Sequence, residues 1–280
     1  MRTSGVIENL RGVGLHDHVC WAYDDRDDFH SRVREFLTEG LGQGQQVCYV
    51  ASGDVEKLVD DLKDLDGLDW ALRRGAAQVK SLDAIYPGRT VIKPAAQVQV
   101  YAAATEDARA AGFTGLRVAA EATPLVRTPR QLDAFARYEH LIDRYMASQP
   151  FSAMCAYHRG ELGEETVAQL ACLHPHTNSG TTEFWLHASS HAAVSLDGEL
   201  DLATVDLFCL ALERAELRPI GGELVIDATG LTFIDHRNLL ALAAYARRSG
   251  AVAMLKTNWP GSARLIELLG VEDVRVEPLA

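Results

Sequence analysis

The chain has 280 residues, 48% apolar and 24% charged, enough for two domains of ordinary size or one large one. Its net charge of −12 argues against a general nucleic-acid binder, because neutralising phosphates requires a basic surface. No run reaches the ~18 apolar residues of a membrane span, and the opening MRTSGVIENLRGVG lacks the apolar core of a signal peptide. A cytoplasmic protein without a membrane partner is the expectation.

In chain order, residues 19–23 (VCWAY) form a short apolar strand, and the acidic run 24–28 starts a helix. That helix carries Phe29, Val33, Phe36 and Leu37 at helical spacing, and Gly40 to Gly44 is read as its stop. Residues 46–51 are a buried-strand run. Asp54 is placed to cap a helix carrying Val55, Leu58, Val59 and Leu62. A weaker strand at 79–82, a helix over 94–111, a strand at 116–120, a helix over 131–146, a strand at 151–157 and a helix over 164–172 follow. Strands alternating with helices of this length imply a mainly parallel α/β sheet covered on both faces. The polar, aperiodic stretch 174–183 reads as a linker. Beyond it come strands at 183–187 and 192–196, a helix over 202–215, a strand at 223–227, a helix over 237–249, a strand at 252–256, a helix over 261–269 and a strand at 274–277: a second, smaller α/β unit. The domains are therefore set at 1–176 and 183–280, with a linker at 177–182.

The familiar phosphate-loop, dinucleotide-binding, nucleophile-elbow and HExxH patterns are absent from the sequence. The glycine-rich Gly40-Leu41-Gly42-Gln43-Gly44 follows a helix and precedes a strand, the reverse of a phosphate cradle. The cysteines, Cys20, Cys48, Cys155, Cys172 and Cys209, are widely spaced without a CxxC pair and read as reduced thiols. Two clusters have donor character: His16, His18 and Cys20 as HxHxC, and Cys172, His174 and His176 as CxHxH. Neither has the spacing of known zinc fingers, so neither is assigned as a metal site, although residues alternating on a strand share a face.

The segments HDHVCWAYDDRDDFHSRVREFLTEGLGQGQQVCYVA (16–51), RVAAEAT (117–123), FARYEHLIDRYM (135–146) and FSAMCAYHRGELGEETVAQLACLHPH (151–176) resemble the MEDS domain, the sensory domain of methanogen and methylotroph regulators. The resemblance implies a RecA/KaiC-like core lacking the phosphate loop and a sensor for small hydrocarbon-like compounds. It names no cofactor and no catalytic residue. In an open parallel sheet ligands gather at the carboxyl ends of the strands, so His18, Cys20, Trp21, Tyr23, Glu121, Tyr138, Cys155 and Tyr157 are the candidate ligand-binding residues. The competing reading makes the thiols and rings plain core residues and Glu121 an ion-pair partner.

VSLDGELDLATV (194–205), ELVIDATGLTFIDHRNLLAL (223–242) and SARLIELLGVEDV (262–274) resemble the STAS domain of anti-sigma factor antagonists. The resemblance implies an anti-sigma factor or related protein as partner, and a switch serine in the pattern Asp-Ser-x-Gly at a helix start. Asp235 keeps the aspartate, His236 stands in place of the serine, and Asn238 in place of the glycine. A scaffold that has lost the phospho-switch, a site tuned by pH or partner, and a phosphohistidine or catalytic role are the readings of His236. The whole chain is expected to be a non-enzymatic signalling protein that senses a small molecule and regulates transcription through a protein partner. A metal- or redox-sensing protein or enzyme built on the His/Cys clusters, and a non-sensing scaffold, are the rivals.

Overall fold

The computed structural model describes residues 3–86 and 90–278. Seven strands form one all-parallel sheet: β1 (Gly5–Val6), β2 (His18–Tyr23), β3 (Gln46–Ala51), β4 (Ala77–Ser81), β5 (Leu116–Glu121), β6 (Phe151–His158) and β7 (His176–Thr177). Their spatial order is β1-β7-β2-β6-β5-β3-β4. The connecting helices are α1 (Arg26–Gly42), α2 (Val55–Asp60), α3 (Leu68–Arg73), α4 (Leu82–Ile85), α5 (Pro94–Ala110), α6 (Pro129–Met146), α7 (Arg159–Leu162) and α8 (Glu164–Ala171).

Strand alternation decides what each helix covers. Val19, Trp21, Tyr23, Val47, Tyr49, Ala119 and Met154 share a core with Phe29, Val33 and Phe36 of α1 and with residues of α2 and α3. Cys20, Ala22, Cys48, Val50, Val118, Ala153, Cys155 and Tyr157 point the other way, into a core with Leu132, Phe135 and Ile142 of α6 and Val167 and Leu170 of α8. Helix α6 starts at a capping box: Thr128 Oγ1 accepts from the Gln131 N–H at 3.3 Å, and Gln131 Oε1 accepts from the Thr128 N–H at 3.2 Å.

The second sheet holds β8 (Phe184–His187), β9 (Val194–Leu200), β10 (Glu223–Asp227), β11 (Leu231–Ile234), β12 (Val252–Lys256) and β13 (Val274–Glu277) in the order β11-β9-β10-β12-β13, with β8 antiparallel to β9. Its helices are α9 (Val205–Ala215), α10 (His236–Arg248) and α11 (Gly261–Leu269). The core on the α6 face continues through Phe184 and Phe208 into this sheet. Polar contacts reinforce the junction: Arg214 of α9 donates to Gln169 of α8 at 3.0 Å and lies 3.4 Å from Asp133 of α6.

The stretch 174–183, read as a linker, is packed against the first sheet. His174 and Thr177 are buried, His176 and Thr177 form β7, and Asn178 pairs with the backbone of Ala22 through bonds of 2.8 and 2.7 Å. The glycine run read as a helix stop does end α1, at Gly42, and Gly40 lies in the last turn, where a Cβ would meet Arg117 Cδ at 2.6 Å. The chain turns at Gly44, whose φ of +75° is the left-handed region that glycine tolerates.

Candidate functional site

A small apolar cavity lies between the sheet and helices α5 and α6. Val118, Ala122, Leu125, Phe135, Tyr138, Phe151, Ala153 and Cys155 line it from inside, and the partly exposed Tyr86, Gln97 and Tyr101 form its outer side. Its free space is about 30 Å³, room for one or two waters, so a larger guest would have to move the outer tyrosines. The lining follows from the sequence. Alternate residues of β5 and β6 are small on this face (Ala120, Ala153, Cys155), while α6 supplies the rings Phe135 and Tyr138.

Cys155 also belongs to a second feature, a polar cluster sealed under α6. His18 of β2, Glu139 of α6, Cys155 of β6 and His174, beyond the end of α8, bring one donor atom each within 4.8 Å of one another, and all four residues are buried. Glu139 and Asp143 sit four residues apart on the apolar stripe of α6 that carries Leu132, Phe135, Ile142 and Met146. His18 Nε2 lies 3.2 Å from Glu139 Oε2, and His18 Nδ1 lies 3.3 Å from Asp143 Oδ1. Burial opposes the charged imidazole, but the two carboxylates outweigh it and hold His18 above the ordinary histidine range. Burial also pushes the Glu139 carboxyl up, but His174, His18 and the Tyr157 hydroxyl, which donates to Glu139 Oε1, bring it below the usual carboxylate range. The Cys155 thiol is driven up by burial and by Glu139.

His174 is different. Its Nδ1 is 2.9 Å from the Leu170 carbonyl, so that nitrogen carries the proton. Burial and the neighbouring His18 lower its pKa to about 4, leaving the ring neutral. The bare Nε2 faces Glu139 Oε1 at 3.7 Å without a hydrogen-bond partner.

The sheet divides the candidate residues. Trp21, Tyr23 and Glu121 lie on the α1 face, where Tyr23 Oη donates to Glu121 at 3.1 Å. His18, Cys20, Cys155 and Tyr157 lie on the α6 face, with Tyr138 projecting from α6 itself. A single pocket combining Trp21, Tyr23 and Tyr157 is therefore not formed, because residues one apart on a strand point to opposite faces. Tyr138 and Cys155 line the cavity, whereas Trp21, Tyr23, Glu121 and Tyr157 do not. Of the two donor motifs, His18 and His174 meet. His16 instead approaches the Met146 and Gln149 carbonyls at 2.9 and 2.8 Å, and His176 lies 3.5 Å from Asp17. Asp143 escaped the sequence reading, although its place on the apolar stripe four residues after Glu139 was a usable signal. All five cysteines are free thiols.

In the second unit Asp235 caps α10: its Oδ1 accepts from the Asn238 N–H at 2.8 Å and from Asn238 Nδ2 at 2.9 Å. Asn238 is buried and also donates to the Asp201 carbonyl at 2.7 Å. His236 stands exposed in the first turn, with Phe233 before it and Leu240 one turn on, also exposed.

Among known families, the one described as MEDS, "MEthanogen/methylotroph, DcmR Sensory domain", matches residues 17–175, more than half of the chain, and this span contains the cavity and the polar cluster. No curated protein matches the chain. Among the described residues no helix is long and apolar enough to cross a membrane.

Proposed function

The chain belongs to the MEDS sensory family, and from that premise we propose that it is a non-enzymatic cytoplasmic signalling protein whose sensor takes a small, mostly apolar molecule between α5, α6 and the sheet. The observation that carries this reading is the largely apolar, aromatic cavity with a polar inner corner at Cys155, backed by the buried carboxylate of Glu139, and Gln97 on its outer side. An apolar enclosure with one or two placed polar groups is the usual form of a small-molecule site. Occupancy would press on α6, which packs on α9 of the second unit through Asp133 and Arg214.

The second unit is the output in this proposal, a STAS-like domain that binds an anti-sigma factor or related regulator and so acts on transcription, with neither nucleic acid nor membrane as partner. Supporting this, Phe233 just before α10 and His236 and Leu240, one turn apart on it, are all exposed, and apolar side chains there suit a protein partner. Asp235 and Asn238 are committed to capping, so the face would be shaped by His236 rather than by a phosphoserine.

A nitrogen-15 NMR titration of the full chain with small alcohols and phenol tests the sensor. Saturable shifts at 118–125, 135–138 and 153–155, lost in Ala153→Leu, are expected. Shifts mapping elsewhere would refute the site.

A further inference from the structure

We infer that His18, Glu139, Cys155 and His174 form a binding site for a divalent transition-metal ion of the zinc type. The proposal does not depend on the cavity being a ligand site. Its first support is the donor set: two imidazoles, a carboxylate and a thiol suit zinc, cobalt or a similar ion, and calcium or magnesium poorly.

The second support is distance. Zinc bonds of 2.0–2.3 Å to such donors in a tetrahedron put neighbouring ligand atoms roughly 3.3–3.7 Å apart. Here His18 Nε2 is 3.2 Å from Glu139 Oε2, Cys155 Sγ is 3.6 Å from each of these atoms, and His174 Nε2 is 3.7 Å from the other Glu139 oxygen.

The third support is outer-shell orientation. A metal-bound histidine usually donates its other ring N–H to a carboxylate or a backbone carbonyl. His174 is set this way, with Nδ1 bonded to the Leu170 carbonyl, and His18 Nδ1 lies 3.3 Å from Asp143 Oδ1, within reach of such a bond although it makes none here. The bare, buried His174 Nε2 aimed at the cluster is the independent sign that a cation belongs there, since its lone pair otherwise faces only carboxylate oxygen.

Binding would form four bonds to the ion, through the two Nε2 atoms, a Glu139 oxygen and the Cys155 sulfur, the Cys155 thiol proton and any proton on His18 Nε2 leaving to solvent. The ion would join β2, α6, β6 and the segment entering β7. Through Asp143, whose other oxygen accepts from the Ala188 N–H at 2.7 Å, it would reach the chain just past β8. The site thus lies where the sensor meets the second unit.

The test loads the full chain with zinc or cobalt alone, followed by dialysis and metal analysis. Stoichiometric metal is expected. The cobalt form should show tetrahedral bands and a thiolate-to-cobalt charge-transfer band. That band should vanish in Cys155→Ser and persist in Cys20→Ser and Cys172→Ser. Asp143→Asn should weaken cobalt binding roughly 10–100-fold, and His176→Ala should leave it unchanged. Should Cys155→Ser fail to fold, X-ray absorption on the wild-type cobalt protein decides through its sulfur and imidazole scattering. Substoichiometric metal in the wild type, a charge-transfer band surviving Cys155→Ser, or an absorption spectrum without sulfur would each overturn the proposal.

Discussion

Replacing Gly40 by alanine should destabilise the protein, although alanine is the better helix former. Gly40 lies inside α1, so the exchange gains about 1 kcal/mol of intrinsic helix propensity. Against this, the new Cβ would fall 2.6 Å from Arg117 Cδ and 2.9 Å from Val47 Cγ1, closer than real Cβ contacts come. Arg117 has nowhere to go. Its guanidinium is buried and donates to Gln45 Oε1 at 2.6 Å, the Val13 carbonyl at 2.6 Å, Gln43 Oε1 at 3.1 Å and the Phe36 carbonyl at 3.2 Å. Overpacking of this kind costs about 1–3 kcal/mol, and each charge-assisted bond strained by a shift of the guanidinium adds up to about 1.5–3 kcal/mol. The net loss expected is about 2 kcal/mol or more. Gly42, at the exposed end of the same helix, has no atom within 4 Å of its would-be Cβ, so Gly42→Ala should stabilise by about 0.5–1 kcal/mol. Urea unfolding followed by tryptophan fluorescence measures both midpoints. Movement of the two midpoints in the same direction would refute the reasoning.

The second unit should lose stability in acid through Asp197. Burial raises this carboxyl, but the His187 ring at 3.0 Å, the Ser4 hydroxyl at 2.6 Å and the Gly230 N–H at 3.0 Å hold it below the ordinary range. Its contribution is therefore complete above the unfolded pKa of about 3.9 and fades as pH falls through the lower folded value; the stability gap between wild type and Asp197→Asn should close on the same path in urea titrations. Tyr23→Phe should cost about 1–2 kcal/mol in the same assay by removing the buried bond to Glu121, and leave phenol titrations unaltered because Tyr23 faces α1. Serine-directed anti-sigma kinases with ATP should leave the α10 start unphosphorylated, His236 standing there; phosphate on Thr229 or Thr232 by mass spectrometry would show a displaced switch instead.

Much of the fold was legible because hydrophobic periodicity is a local signal. The runs at 46–51 and 151–157 and the stripe from Leu132 to Met146 reappear as β3, β6 and α6 within a residue or two. Short elements were not: β1 and β7 have two residues each and exist through pairing with one another and with β2, which no local pattern encodes. The glycine run 40–44 marked the end of α1, but the second role of Gly40, leaving room for Arg117, was not legible because that arginine is distant in sequence. The candidate site was half legible. His18, Cys155 and Tyr138 were named from strand position and neighbourhood, but the face each residue takes depends on strand register. That register separated Tyr23 from Tyr157 and brought His174 to His18, with ring centres 4.0 Å apart.

The measurement that bears most directly on the sensing reading is a crystal structure of the full chain with the tightest-binding compound from the alcohol and phenol titrations. The account predicts ordered density enclosed by α5, α6, β5 and β6, its apolar part against Leu125, Phe135 and Tyr138 and its polar atom toward Cys155. Density confined to the surface groove lined by Gly12, His16 and Asp17, with Tyr86 and Tyr101 unmoved, would contradict it.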